Sequence, residues 1–225
     1  IQARLSSIGE RSINAVVDAL NYAMFDRGQP MHAFDAAQVT GPIRVRMAHN
    51  GEQITLLTGE TIELTADDAV IADDEKALAL AGVKGGKAAE VTEQTTAVIL
   101  EVAHFDPVAV RKTRQRHNLA TESSKRFENE ITPVWTREAM QYASALICKS
   151  VGDQSRAEPI VDVGETVYDQ GSVAVSQTDI EAVLGISLSV SEVADILDRL
   201  LFRYEETAGT FTVSVPFEGP EMPPA

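Results

Sequence analysis

Basic residues are scarce in this chain: 19 Lys and Arg stand against 34 Asp and Glu, for a net charge of −15. A body this acidic is excluded from gripping a long nucleic-acid duplex, which takes many cations on phosphates. Cysteine is scarcer still. Cys148 alone excludes an internal disulfide and fits a reducing compartment, the cytoplasm. Its setting, "REAMQYASALICKS", reads as a helix with the thiol packed in the core. No apolar run approaches the roughly 18 residues of a membrane span, so no membrane association is expected. The start, "IQARLSSIGERSINAVV", has neither the basic nor the apolar region of a signal peptide. It also begins without Met, and the chain is expected to be part of a longer one. The usual metal and nucleotide motifs are missing too. Four histidines (32, 49, 104 and 117) are scattered, and there is no HExxH, CxxC, GxSxG or GxxxxGK[ST], so no metal site is expected.

What is present is ordinary globular composition, 44% hydrophobic over 225 residues, enough for one large domain or a domain with a smaller module. "SINAVVDALNYAMFDRG" places Ile13, Val16, Val17, Leu20 and Met24 at helical spacing, with Gly28 as a stop. Strands follow: alternating "PIRVRMA" (42–48), a hairpin in "EQITLLTGETIEL" (52–64) around Gly59, and a strand pair in 69–83 turning at "DDE". "TTAVILEVA" (95–103) reads as a buried strand. Asp106 as N-cap with Pro107 at the first helical position starts a helix over 107–117 that stops at Asn118. A short helix in "ESSKRFENEI" and a longer one over 134–150 complete this part. Residues 152–172 lose periodicity and read as a connector with at most one strand. Beyond it, "SQTDIEAVLG" and "SVSEVADILDRLLF" are two helices. Ser189 and Glu192 form a capping box for the second, and Val193, Ile196, Leu197 and Leu200 form its apolar stripe. "RYEETAGTFTVSVP" is a hairpin, giving a winged-helix-like outline, and the tail "EGPEMPPA" is expected to be disordered. The expected class is α+β: a β-sandwich-like core of short strands flanked by helices over 1–160, then a small partial winged-helix-like module over 173–225.

Four stretches are awkward as plain structure: "NYAMFDRGQPMHAFD", "LAGVKGG", "ILEVAHFDP" and "TESSKRFE". In the first, His32 is expected in a turn set by Gly28 and Pro30. Glu101 follows four apolar residues, and a carboxylate buried there would need a partner, such as a ligand hydroxyl; facing solvent is the plain alternative. "GVKGGK" (82–87) has the wrong spacing for a phosphate loop. Its glycines either admit close backbone approach or make a bend. "RKTRQRHN" and "SSKRFE" gather Arg111, Lys112, Arg114, Arg116, Lys125 and Arg126, either a solvated face or a patch for a short piece of nucleic acid.

Taken together and in order, these stretches resemble the editing domain in the beta subunit of bacterial phenylalanyl-tRNA synthetase, over about residues 3–150. "GQPMHAFD" is similar to the family's GQP-x-HAFD motif, "AGVKGG" to its AGV-x-GG loop, "LEVAHFDP" to its LEAA-x-FDP strand end, and "TESSKRFE" to its T-[DE]-[SA]-S-x-RFE segment. Residues 173–216 resemble, less sharply, the start of the winged-helix-like domain that follows in that subunit.

The resemblance implies hydrolysis of tyrosine mischarged onto the phenylalanine tRNA. A pocket made for phenylalanine rejects an added hydroxyl only about a hundredfold, so accuracy needs a second site that reads the hydroxyl positively. Carried over residue by residue, Glu101 matches the reader of the tyrosine hydroxyl. His32 and Thr121 join it in the catalytic site, and Asn21, Pro30, Gly85 and Ser123 line the substrate pocket. Arg111, Arg114, Lys125 and Arg126 would hold the single-stranded CCA end. Implied partners are the phenylalanine tRNA and the synthetase alpha subunit. ATP and magnesium are implied for the whole synthetase and no cofactor for this chain. Two departures bear on activity: Lys84 replaces an apolar residue of the glycine loop, and "RFENEITP" lacks the family's RFERG-x-DP ending. The alternative is a tRNA-binding or scaffold module that has lost editing.

Overall fold

The structure, a computed structural model, describes residues 1–152, 155–164 and 171–215. The chain divides into two compact units, Ile1–Gly164 and Glu165–Ala225. Among the described residues no helix is long and apolar enough to cross a membrane.

In the first unit a six-residue helix, α1 (Gln2–Ser7), precedes α2 (Ala15–Arg27). The start of α2 is fixed by Asn14, whose side chain accepts a hydrogen bond from the Val17 amide at 2.9 Å. Its end is fixed by Gly28 in the left-handed conformation, which a glycine adopts without steric cost. Then come β1 (His32–Asp35), β2 (Arg44–Met47), β3 (Gln53–Thr55), β4 (Thr61–Glu63), β5 (Ala69–Ala72), β6 (Ala77–Leu80), β7 (Lys84–Gly85) and β8 (Val98–Glu101). They form three small antiparallel sheets, ordered β2-β5-β6-β7, β1-β8 and β3-β4. The inner strands β5 and β6 are almost wholly buried, whereas edge strand β2 is largely exposed, as expected where only one strand side is covered. Helices α3 (Pro107–Arg116), α4 (Glu122–Phe127) and α5 (Thr136–Val151) close the unit.

Apolar clusters hold these elements in place, one of them joining Phe34 of β1 to Ile71, Leu78 and Ala79 of β5 and β6. Ala19, Leu20 and Ala23 of α2 pack with Ala143 and Ile147 of α5, over Ala33 of β1 and Leu100 of β8. Another cluster joins Leu56, Val70, Leu80, Val83, Val110 and Phe127. It ties α3 and α4 to the main sheet. Asp68, fully buried just before β5, anchors α3 as well. It accepts hydrogen bonds from the Thr65 amide at 2.9 Å and from the Thr65 and Thr113 hydroxyls, both at 3.1 Å. It also pairs with Arg116 and, at 2.9 Å, with His117 Nε2. So full a set of partners on one carboxylate answers the cost of burying it.

The second unit is a three-stranded antiparallel sheet, β10-β11-β9, with two helices. Strand β9 spans Ser172–Ser176, helices α6 and α7 span Gln177–Leu184 and Val190–Arg199, and β10 and β11 span Tyr204–Thr207 and Thr210–Ser214. Both helices open with capping boxes, Ser176 with Asp179 and the expected Ser189 with Glu192. Of the expected stripe on α7 only Val193 is buried, together with Phe211 of β11, while Ile196 and Leu200 are exposed.

The α+β class therefore stands, with several differences from expectation. Helix α1 carries no side-chain cap signal, and β7 is only two residues long; neither has a period to read. Strand β9 begins at the edge of the expected connector. His32 sits on a strand, not in a turn, because it pairs across to β8. The expected disordered tail "EGPEMPPA" and part of the 152–172 connector lie outside the described residues.

Candidate functional site

The site is built on the β1–β8 pair. Its antiparallel register sets His32 opposite Glu101, Ala33 opposite Leu100 and Phe34 opposite Ile99. Directly opposed residues project from the same face with Cβ atoms about 4.5–5.5 Å apart. Imidazole and carboxyl thus stand side by side at the end of a two-stranded ribbon. The entry to β1 is pinned by Gln29, a buried residue that sequence reasoning did not single out. Its amide donates to the Ala103 carbonyl and the Pro30 carbonyl, both at 3.0 Å, tying the GQP segment to the end of β8.

The glycine loop closes over this pair. A Cβ on Gly85 would collide with the His32 ring, 2.8 Å from Nε2 and closer still to Cε1. A Cβ on Gly86 would lie 2.5 Å from the Leu78 carbonyl oxygen, and Gly82 turns with a φ of +68°. The loop is thus both a bend and a place of close approach, and a short 3-10 turn, Lys87–Ala89, comes after it.

These elements enclose a cavity of about 350 Å3, solvent at its mouth included. His32, Glu101, Pro30, Gly85 and Ser123 all border it. So do Phe105 and Phe127, whose rings meet edge to face at 5.0 Å. Both phenylalanines lie inside the "AHFDP" and "KRFE" stretches, so their motif was visible although their role as aromatic wall was not. Lys84 also borders the cavity.

Asn21 and Thr121 do not border it. Asn21 is partly buried on α2. The Thr121 hydroxyl donates to the Val83 carbonyl at 2.8 Å and caps α4 by accepting from the Ser124 amide at 3.0 Å. It thereby fixes α4 against the glycine loop. The basic stretch is engaged internally. Arg111 donates to the Glu128 carbonyl and Arg114 pairs with the Glu128 carboxylate. Lys125 and Arg126 both pair with Glu122, and Arg126 lies over the Phe25 ring.

Burial sets the charge state of the central pair. It pushes the Glu101 carboxyl up to about 7 and the His32 imidazole down to about 4. Near neutral pH the imidazole is uncharged and offers an acceptor nitrogen, while the carboxyl is poised between its two forms. An aromatic-walled cavity with a desolvated carboxyl and a neutral imidazole suits a ligand with an aromatic body and a polar group.

The model of the B3/4 domain family matches residues 1–152. A phenylalanine–tRNA ligase beta subunit from Streptococcus pneumoniae is 44% identical over 219 residues, 96% of this chain and 27% of its own length. The beta subunit from Methylococcus capsulatus is 41% identical over 218 residues, again 96% of this chain and 27% of its own. That from Cutibacterium acnes is 43% identical over 199 residues, 88% and 23% respectively. The chain thus spans about a quarter of the relatives it matches. A solved N-terminal fragment of the phenylalanyl-tRNA synthetase beta subunit from Pyrococcus horikoshii covers 92% of this chain and is itself 61% covered, with a TM-score of 0.43 at 13% identity.

Proposed function

The chain belongs to the B3/4 domain family, and from that premise we propose that it is the editing part of a phenylalanine–tRNA ligase beta subunit. Its substrate is the phenylalanine tRNA mischarged with tyrosine, and the reaction is hydrolysis of the aminoacyl ester. The observation that carries the reading is the opposition of His32 and Glu101 at an aromatic-walled cavity.

Glu101 reads the substrate. The phenol hydroxyl of tyrosine donates to the carboxyl, giving that desolvated group a partner. Phenylalanine would leave it unpaired, and sites of this kind discriminate by about 10⁴ or more. Phe105 and Phe127 pack on the ring of the amino acid. In the chemical step the oxygen of a water attacks the ester carbonyl carbon, the bond to the ribose oxygen breaks, and a proton passes to that oxygen. His32 is neutral at pH 7, so its free nitrogen accepts a hydrogen bond from substrate or water and orients it. Gly85 leaves the imidazole room to do so, and Ser123 and Pro30 complete the wall. Thr121 acts by holding α4, and with it Ser123, against the glycine loop; Asn21, on α2, lies outside the residues that border the cavity and takes no direct part in this scheme.

Among the described residues no three His, Cys, Asp or Glu side chains converge to hold a metal. On this reading the ATP and magnesium of the whole synthetase serve aminoacylation in other parts, with the alpha subunit, in the cytoplasm. One observation favours the second reading, a non-catalytic scaffold: Arg111, Arg114, Lys125 and Arg126 are engaged within the chain rather than held out for tRNA. Deacylation of tyrosyl- and phenylalanyl-tRNA, with wild type and Glu101→Ala, decides between them. Editing requires loss of tyrosine alone, with the preference collapsing at least about a hundredfold in the variant. If the full-length subunit assembled with its alpha partner leaves both esters intact, the scaffold reading is correct.

A further inference from the structure

Lys84 is the one ionisable residue at the cavity that the proposed reaction does not use. It sits on β7, between the buried Val83 and the glycine that accommodates His32, and it borders the cavity while itself partly buried. Its ammonium has no hydrogen-bond acceptor and no acidic partner among the described residues. Four basic side chains differ: Arg111, Arg114, Lys125 and Arg126 have partners in Glu122 or Glu128, whereas Lys87 and Lys112, like Lys84 without a partner among the described residues, are exposed and do not border the cavity. Glu101 borders the same cavity without answering Lys84, for the rise in its pKa has burial as its cause and no neighbouring cation opposes it. A cation at a cavity without a counter-charge from the chain is left to pair with an anionic ligand.

We propose that Lys84 is a phosphate contact for the nucleic-acid strand whose 3′ end enters the cavity. The inference rests on the editing reading, and the chemistry of an aminoacyl ester narrows the choice of anion. Esterification consumes the amino acid's carboxylate, so the aminoacyl group carries a cationic amine and no anion. The only negative charges such a substrate brings are its phosphodiesters, the first of them just 5′ of the terminal nucleoside. Lys84 takes one of these as a point charge on a flexible stem. The single-strand contact thus lies in the glycine loop rather than in the arginine-rich stretch over 111–126. The acidic body, net −15, repels the strand elsewhere and leaves it little other purchase.

The test is equilibrium binding of a short fluorescent RNA ending in CCA to the intact chain, by anisotropy, over a salt series. Each phosphate neutralised on a single strand contributes about −0.7 to the slope of log K against log salt. One contact therefore accounts for a loss of about 2.6-fold in affinity between roughly 50 and 200 mM salt. Lys84→Met is expected to flatten the slope by about 0.7, and Lys84→Arg to restore it. Lys112→Met, an exposed lysine of α3 that does not border the cavity, is expected to match wild type. Equal slopes for wild type and Lys84→Met, or equal losses in the Lys84→Met and Lys112→Met variants, overturn the assignment. So does an absence of RNA binding by wild type. Hydrolysis of tyrosyl-tRNA by wild type is read separately. Binding with the Lys84 slope but no hydrolysis by the full-length subunit assembled with its alpha partner sinks the editing reading alone, and hydrolysis without the slope sinks Lys84 alone.

Discussion

Replacing Glu101 with Gln keeps the shape of the cavity floor and removes the one group there that burial holds near neutrality. The carboxyl moves from 4.5 to about 7 on folding. At roughly 1.4 kcal/mol per pH unit this corresponds to about 3 kcal/mol, an upper limit because the residue is only partly buried. The sign follows from the direction of the shift. A raised carboxyl is protonated in both folded and unfolded chains below pH 4.5, so it imposes no penalty there. As pH climbs toward 7 the unfolded chain ionises first, and wild type loses that stability. The Glu101→Gln variant has no proton to lose, so its stability relative to wild type should grow by up to about 3 kcal/mol between roughly pH 4.5 and pH 8. His32 has the opposite sign: lowered from 6.5 to about 4, it costs stability as pH falls below 6.5. In wild type the two trends oppose each other across pH 4.5–6.5, and in the variant the acid-side loss stands alone. Urea unfolding followed by fluorescence suits the measurement, because the chain has a single tryptophan, Trp135, in the short turn before α5. The signal therefore reports on the unit that holds the site. Parallel stability–pH curves for wild type and variant would refute the reasoning, since they would mean Glu101 is solvated like a surface carboxylate.

Two further substitutions test the frame around the site. Gly85→Ala drives a methyl into the His32 ring; it should cost about 1–3 kcal/mol in urea unfolding and lower kcat for tyrosyl-ester hydrolysis more than it raises KM. Asp68→Ala leaves Arg116 and His117 without their shared carboxylate. A loss of up to about 3 kcal/mol is expected, since Arg116 is partly exposed and keeps Asp67 at 3.8 Å, visible as a lower midpoint in thermal or urea unfolding.

The features legible in the sequence are those whose partners lie within a few residues. Asp106 and Pro107 announce α3, Gly28 ends α2, and Ser189 with Glu192 caps α7, because a cap is a contact between residues three or four apart. The β5–β6 turn at Asp73 is local in its Glu75 and Lys76 partners, although the Thr40 amide reaches the same carboxyl from 33 residues away. Burial pushes that carboxyl up, but the amides of Thr40, Glu75 and Lys76 and the Lys76 ammonium together hold it well below the usual range. His32, Glu101, Pro30, Gly85 and Ser123 could be named from their motifs because each motif is short and ordered.

What the motifs could not state is how those residues meet. His32 and Glu101 are far apart in the chain, and only the β1–β8 register, set by packing of α2 and α5 on one face of the ribbon, makes them neighbours. Whether an arginine is free depends likewise on which carboxylate folding brings to it. Glu122 and Glu128 engage the basic stretch, and Lys84 is left at the cavity without a partner among the described residues. Thr121 reads as a pocket residue in its motif, yet its hydroxyl is committed to the Val83 carbonyl across the fold. Sequence by itself determined the local elements, the acidic balance and the residue types of the pocket. Tertiary structure decided which of those residues share a desolvated space, because desolvation and long-range pairing depend on the surroundings and not on neighbours along the chain.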